Sequence, residues 1–329
     1  MSLRIATFNL ENLDDRPELD PPLDERIALL RPQLLRLAAD ILCLQEVNGQ
    51  QPKDGGPRGL LALDRLLEGT PYGTFQRIAT TSSSEAGVAN VHNLVILSRW
   101  PLSGREQLRH ELVSRPAYRP ATAEPPEAAA QPVEWDRPLL KATVELPGGR
   151  ILHVVNLHLR APLAALVAGQ KQDAFTWRSV GGWAEGFFLA TVKRSGQALE
   201  ARLLVDRIFD EEPDALIAVC GDLNAEEREM PLRILRGDVE DTGNGHLAYR
   251  ALVPLERTLP DSQRYSVLHH GHKQMLDHIL VSRPLMAYCR QVEVHNEALG
   301  DELVAYATVS HSPESYHAPV VAEFARPDG

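Results

Sequence analysis

The chain has 329 residues, of which 43% are hydrophobic and 24% charged, with a formal net charge of −11. This is the composition of an ordinary folded chain, which excludes disorder, a collagen-like repeat and a coiled coil, and the acidic balance argues against broad electrostatic attachment to nucleic acid. No run of about 18 apolar residues occurs, so no transmembrane segment is expected.

The N-terminus enters an apolar strand pattern directly, at Leu3–Phe8, with no basic stretch followed by an apolar one. No signal peptide is therefore read. A helix is predicted over Glu25–Ala38, where Ile27, Leu30, Leu34, Leu35 and Leu37 form an apolar stripe and Asp24 would cap it. A strand at Ile41–Gln45 follows, then a Pro- and Gly-rich exposed connection over 50–59, a helix at Leu60–Leu67 and a strand at Asn93–Leu97. Residues 114–138 are rich in Pro and Ala and read as irregular. Strands at Leu139–Glu145 and Ile151–Leu157 are joined by Leu146-Pro147-Gly148-Gly149-Arg150, a hairpin turn. Residues 161–194 hold Trp177, Trp183, Phe187 and Phe188 among glycines and read as an inserted aromatic lobe. A helix at Gln197–Phe209 and strands at Ala215–Cys220, Leu276–Val281 and Ala318–Phe324 complete the pattern. With no internal repeat and no dividing linker, a single mixed α/β domain over 1–329 is expected, its strands in two sheets. Three cysteines are few and odd in number. Cys43 and Cys220 lie inside apolar runs and read as buried thiols, which fits the reducing cytoplasm.

The informative polar residues sit at strand ends. Asn9, Glu46, the pair Asn156 and His158, and the pair Asp222 and Asn224 follow apolar runs, while Asp277 and His317 precede them. Antiparallel neighbours bring the start of one strand beside the end of the next, so all can line one edge. Residues two apart share a face, and Gly221 lets the backbone bend before Asp222. This inventory suits phosphoester hydrolysis. A hard divalent cation wants oxygen ligands, which Glu46 and Asn9 can supply, and it would neutralise phosphate charge. A His oriented by a carboxylate is a base for water near neutral pH, a role open to His317 with Asp277. Asp222 and Asn224 can orient the water, and His158 can donate to a non-bridging oxygen. His269, His270 and His272 are set aside as a zinc cluster, because no Cys or carboxylate accompanies them at ligand spacing.

The ordered segments Phe8-Asn9-Leu10-Glu11, Leu44-Gln45-Glu46-Val47, Asn93–Arg99, Asn156-Leu157-His158, Gly221-Asp222-Leu223-Asn224, Leu276-Asp277-His278 and Tyr316-His317-Ala318 resemble the endonuclease/exonuclease/phosphatase superfamily. The resemblance implies a deoxyribonuclease-I-like, four-layer αββα sandwich with two mixed, mainly antiparallel sheets. It also implies a metal-dependent hydrolase acting on a phosphodiester or phosphomonoester with Mg²⁺ or Mn²⁺. It assigns the metal to Glu46 and Asn9, phosphate contact to His158, the nucleophile-orienting roles to Asp222 and Asn224, and support of His317 to Asp277. Arg194 and Gln197 are expected to approach the site.

One departure stands out: the family's Ser-Asp-His reads Ser315-Tyr316-His317 here, and Tyr cannot supply a carboxylate charge at neutral pH. The substrate expected is a phosphoester, DNA or RNA among the candidates, hydrolysed by nuclease-like chemistry. The alternatives are a non-nuclease phosphodiesterase or phosphatase on a small or lipid phosphoester, and a catalytically weak phosphate-binding scaffold. The basic candidates Arg99, Arg105, Arg109, Arg160, Lys171, Lys193 and Arg194 are scattered, which disfavours a strong duplex binder. The aromatic lobe could stack bases.

Overall fold

The computed structural model describes residues 2–16, 18–82, 87–302 and 312–326. Its main elements are β1 (Ser2–Leu13), α1 (Leu23–Leu37), β2 (Ile41–Val47), α2 (Leu61–Leu67), β3 (Gln76–Ala79), β4 (Asn93–Ser98), β5 (Leu102–Leu108), β6 (Leu139–Glu145) and β7 (Ile151–His158). They continue with α3 (Val180–Glu211), β8 (Leu216–Asp222), α4 (Met230–Arg236), β9 (Val253–Pro254), β10 (Asp277–Val281), β11 (Cys289–Val294) and β12 (Val320–Ala325).

Strand alternation builds the layers. In β1, Leu3 and Ile5 face the second sheet, while Ala6, Phe8 and Leu10 face α1 and α2. In β8, Ala218 and Cys220 face the first sheet, while Ile217 and Val219 meet Ala201 and Leu204 of α3. Three apolar interfaces stacked in this way make the four-layer αββα sandwich. The first sheet runs β11-β12-β1-β2-β4-β3 and the second β9-β10-β8-β7-β6-β5. Both mix one parallel pair with antiparallel ones: β1 runs parallel to β2 and β7 parallel to β8. The hairpin turn closes as expected, with Leu146 N donating to Arg150 O at 2.9 Å.

A buried amide bridge joins the sheets. Gln45 Nε2 donates to Asn156 Oδ1 at 2.7 Å, and Asn156 Nδ2 donates to Leu44 O at 3.0 Å and Val95 O at 2.9 Å. Each polar atom buried there thus finds a partner, which an apolar interface requires.

Two local expectations are corrected. Asp24 does not cap α1; the flanking residue is Pro22, with no side-chain cap, and Asp24 lies inside the first turn, paired with Arg65. The helix predicted at Gln197–Phe209 begins at Val180 and has 32 residues, so 180–194 belongs to α3. Gly181, Gly182 and Gly186 masked its start, because glycine weakens helix propensity. The packing supplies a reason for one of them: a Cβ on Gly186 would lie 2.4 Å from Ala165 O. The Ser179 hydroxyl caps the helix, accepting from Gly182 N at 2.9 Å.

Two carboxylates on α3 peg the irregular 108–137 region. Glu200, fully buried, accepts from the backbone N–H of His110, Glu111 and Leu112 and from Trp135 Nε1 at 2.7–3.1 Å. Glu185 accepts from Tyr118 Oη at 2.7 Å and from the N–H of Ala121 and Thr122. Charge-assisted bonds of this kind replace a regular ladder and fix where the segment enters β6.

Candidate active site

Two irregularities in the first sheet aim its polar residues. The β1–β2 register shifts between Asn9 and Leu13, and the β2–β4 register shifts between Leu44 and Val47. Glu11, Asn12 and Glu46 take positive φ there (47°, 53° and 57°), as do His92 (57°) and Asn224 (46°). Left-handed backbone outside glycine is strained, and bulges re-aim side chains next to active sites.

The side chains converge at the carboxyl ends of β1, β2, β7 and β8. Asn9 Nδ2 donates to Asp222 Oδ2 at 3.0 Å and to Glu46 Oε1 at 3.3 Å, while its Oδ1 accepts from Glu11 N at 2.9 Å. His158 Nε2 lies 3.3 Å from Asp222 Oδ2 and 3.5 Å from Glu46 Oε1. Asn224 donates to Asp222 through both its backbone N (2.8 Å) and Nδ2 (2.9 Å). From the far side, His317 Nδ1 meets Asp277 Oδ2 at 2.7 Å, and its Nε2 lies 3.9 Å from Asp222 Oδ2. Seven of the eight strand-end residues singled out in the sequence therefore stand in one cluster. Asn156, two residues before His158, serves the amide bridge instead. Arg194 donates to Asn224 O, and Gln197 Nε2 donates to Arg137 O at 3.1 Å and His158 O at 3.4 Å.

Gly221 is the bend before Asp222. Its φ is 145°, and a Cβ there would lie 2.0 Å from Leu157 O. Only a residue without a side chain lets β7 and β8 approach this closely just before His158 and Asp222.

The electrostatics follow from burial and partners. Burial would raise the Asp222 pKa, but His317, His158 and the Asn224 N–H outweigh it and hold the carboxyl far below its usual range. Burial likewise pushes Glu46 up, and the surrounding His158, His92 and His317 bring it below the ordinary value. His317 is raised well above the usual imidazole range, because Asp277 and Asp222 overcome burial. Ligand atoms of Glu46, His92 and His158, and those of Asp222, Asp277 and His317, lie within 4.8 Å of one another in each group. Close carboxylates resist ionising together unless a cation shares the space; Glu46 offers a hard divalent ion carboxylate oxygen, and Asn9, whose Nδ2 faces Glu46 here, offers it oxygen only with its amide turned over.

Tyr316, where the family pattern has Asp, is buried, and its backbone N donates to Glu11 Oε2 at 2.7 Å. Ser315 Oγ donates to Asn9 O at 2.7 Å and accepts from His317 N at 3.0 Å, tying this loop to β1. Burial pushes the Glu11 carboxyl up to about 7. Folding in the absence of metal thus disfavours its ionised form, a penalty that grows between about pH 4.5 and 7 and is constant above. Glu11→Gln keeps the acceptor for Tyr316 N. In chelator it is expected to stabilise the fold by up to about 3 kcal/mol at pH 8 and by nothing at pH 4.5, read from urea unfolding at both pH values.

Three residues at the site escaped the sequence reading: Glu11, His92 and Arg137. His92 Nδ1 lies 3.9 Å from Glu46 Oε2, and Arg137 Nη1 donates to Leu159 O at 3.2 Å. The signal was present, since His92 and Arg137 stand just before β4 and β6, at strand beginnings like Asp277 and His317. Glu11 sits two positions beyond Asn9. The histidine loop set aside as a zinc site does have carboxylates nearby, with His269 Nδ1 2.7 Å from Glu302 Oε2. Among the described residues it forms no three-ligand group.

The model of the Endonuclease/Exonuclease/phosphatase family matches residues 6–310. The chain belongs to this family. Members of the endonuclease/exonuclease/phosphatase family are generally hydrolases acting on phosphoester bonds. Among solved structures, a family protein from Bacteroides thetaiotaomicron is 14% identical with TM-score 0.59, over 100% of this chain and 97% of its own. Truncated Caenorhabditis elegans TDP2 is 14% identical with TM-score 0.56, over 99% and 98%. An AP endonuclease from Archaeoglobus fulgidus is 16% identical with TM-score 0.51, over 98% and 99%. At these identities the likeness establishes the deoxyribonuclease-I-like fold. No curated protein matches the chain.

Proposed function

We propose that this family member is a divalent-metal-dependent phosphodiesterase of nuclease-like chemistry. The observation that carries the reading is the His317–Asp277 pair at 2.7 Å, with His317 Nε2 turned toward Asp222 and the Glu46–His158 group. Glu46 and Asn9 would hold Mg²⁺ or Mn²⁺, which when bound neutralises charge on the phosphate and on the departing oxygen. Asp277 fixes the Nδ1–H tautomer of His317, which leaves Nε2 to take a proton from water as its oxygen bonds to phosphorus. The P–O bond to the leaving group breaks, and the proton passes on to that oxygen. Asp222, held ionised by His317, His158 and the Asn224 N–H, orients the water. His158 donates to a non-bridging oxygen.

The surface favours a small diester or a single strand over duplex DNA. Arg99 pairs with Asp40, Arg109 with Glu134, and Arg160 and Lys193 both with Asp136, so these cations are neutralised. Among the described residues no helix is long and apolar enough to cross a membrane. The free buried thiols of Cys43 and Cys220 support a reducing compartment, the cytoplasm.

The test is hydrolysis of bis-(p-nitrophenyl) phosphate, single-stranded DNA and plasmid with Mg²⁺ or Mn²⁺. Turnover of the diester that falls by about 10²-fold or more in Glu46→Ala and His317→Ala is expected. Full activity in both variants removes this site from the reaction. No turnover in the parent, with activity appearing in Tyr316→Asp, favours the phosphate-binding scaffold.

A further inference from the structure

We propose that His278 is a positioning residue for the reaction: held as an imidazolium by Glu256, it clamps from the outer face of β10 the turn that carries Asn224, and thereby sets Asp222 for the water. The inference rests on the role proposed for Asp222, and on hydrogen-bond geometry for the clamp.

Adjacent residues of β10 point to opposite faces of the sheet. Asp277, on the side of Ile279 and Val281, looks toward the first sheet and meets His317. His278, on the side of Leu280, looks toward the helical layer. There its Nδ1 meets Glu256 Oε1, and its Nε2 lies 2.8 Å from Ala225 O. Glu256 stands in the single turn Leu255–Thr258 that follows β9, and both side chains are buried. One strand thus contributes to two carboxylate–imidazole pairs, Asp277–His317 on the site face and Glu256–His278 behind it.

The partners dictate the state of the second pair. A carbonyl oxygen only accepts, so Nε2 carries a hydrogen, and a carboxylate beside Nδ1 calls for a hydrogen there too. Both nitrogens donate only in the imidazolium. Burial would lower the His278 pKa, but Glu256 and the Ala225 carbonyl outweigh it and raise it. The bond to Ala225 O is therefore charge-assisted, and such bonds are about twice as strong as neutral ones. Apolar residues of similar volume fill a buried site at no greater cost than an ion pair, so packing does not account for this one.

What it holds is the turn of the site. Asn224 has φ 46°, and its backbone N and Nδ2 both donate to Asp222. The next two carbonyls in the chain are each taken by a buried cation from a different element: Asn224 O by Arg194 of α3, and Ala225 O by His278 of β10. Two successive peptide planes are thereby fixed, which a left-handed residue other than glycine requires if it is to persist. In register, His278 stands opposite Gly221 and Asp277 opposite Asp222. A shift of the turn would carry the Asn224 amide off Asp222 Oδ2, the oxygen that faces Asn9, His158 and His317.

Two amide variants separate the clamp from the pair. His278→Gln reaches Ala225 O with an N–H, whereas His278→Asn meets Glu256 and stops short of Ala225. With bis-(p-nitrophenyl) phosphate and Mg²⁺ or Mn²⁺, His278→Asn is expected to lower kcat by about 10–100-fold with KM within about 2-fold, and His278→Gln to keep kcat within about 3-fold of the parent. Glu256→Gln keeps the shape of the pair and removes its charge, and is expected to lower kcat by about 3–10-fold. Ser282→Ala controls for general loosening. Ser282 is as buried as His278 and follows the other end of β10, where its Oγ donates to Ala215 O at 2.8 Å and accepts from Ile217 N at 3.0 Å; its loss should leave kcat unchanged. Equal losses in His278→Asn and His278→Gln, parent kcat in His278→Asn, or a matching loss in Ser282→Ala overturns the proposal. Should His278→Asn not fold, parent kcat in Glu256→Gln overturns it instead. Hydrogen exchange of the Asn224 amide, followed by NMR of the asparagine-labelled chain without substrate, is read alongside: exchange about 10-fold faster in His278→Asn and unchanged in His278→Gln and Ser282→Ala is expected. If the parent turns over no ester, the enzyme reading falls while this measurement still decides the clamp, which unchanged exchange in His278→Asn would remove.

Discussion

Asp277→Asn is expected to move the ascending limb of the pH profile of kcat/KM to lower pH while lowering its plateau by about 10²–10⁴-fold. The reasoning runs through His317. The imidazole must be neutral at Nε2 to accept a proton, and Asp277 and Asp222 stabilise its charged form, lifting its pKa well above the usual range. The parent should therefore gain activity as pH rises above 7, where this group loses its proton. Removing the Asp277 charge lowers that pKa, so the limb shifts toward acid. The plateau falls because the amide no longer stabilises the imidazolium formed in the transition state. A limb that stays in place, or shifts toward alkali, would show that His317 is not the group being titrated.

Gly221→Ala is expected to destabilise the fold by roughly 3 kcal/mol or more and to abolish turnover. Two independent effects add. The residue has φ 145°, which an L side chain rarely adopts, and the new Cβ would meet the backbone oxygen of Leu157 at 2.0 Å. That oxygen belongs to β7, paired with β8 in register, and neither strand can yield without moving His158 or Asp222. Gly245→Ala makes the comparison, since nothing lies within 4 Å of that position and its φ is unremarkable; it should change stability by less than about 0.5 kcal/mol. Urea unfolding of both variants checks the difference. Equal, small effects would mean that the approach of β7 to β8 is not tight.

The central strands were legible because they are buried on both faces. Leu139–Glu145 coincides with its expected range, and the apolar runs at Ile41 and Leu216 gave β2 and β8 to within two residues. The strands that escaped, Gln76–Ala79, Leu102–Leu108, Val253–Pro254 and Cys289–Val294, each end a sheet. Edge strands face water along much of their length, so Ser103, Gly104, Arg105 and Glu106 show no apolar alternation, and pairing with a neighbour decides their conformation. Helix α3 escaped for the opposite reason: its glycines argue locally against a helix that close packing requires.

The site divides along similar lines. Residues at the ends of strong apolar runs announced themselves, because a carboxylate or imidazole is conspicuous there. His92 and Arg137 follow irregular segments whose course is set by distant partners, Glu200 and Glu185 among them, and nothing local marks where such segments arrive. Glu11 looked like one more polar residue in β1 until the bulge turned it toward Tyr316.

Glu46, Asn9 and His317 come from one sheet or the loop leading into it, and Asp222, His158 and Asp277 from the other, so the proposed reaction centre exists only where two slabs of backbone are held at a fixed separation. The Gln45–Asn156 bridge lies directly beneath it and acts as a spacer. Neither half of the sandwich carries a partial catalyst that could outlive separation from its mate. On heating, chemistry and architecture should vanish in one step, and a loosened sandwich with its secondary structure intact should already be inert.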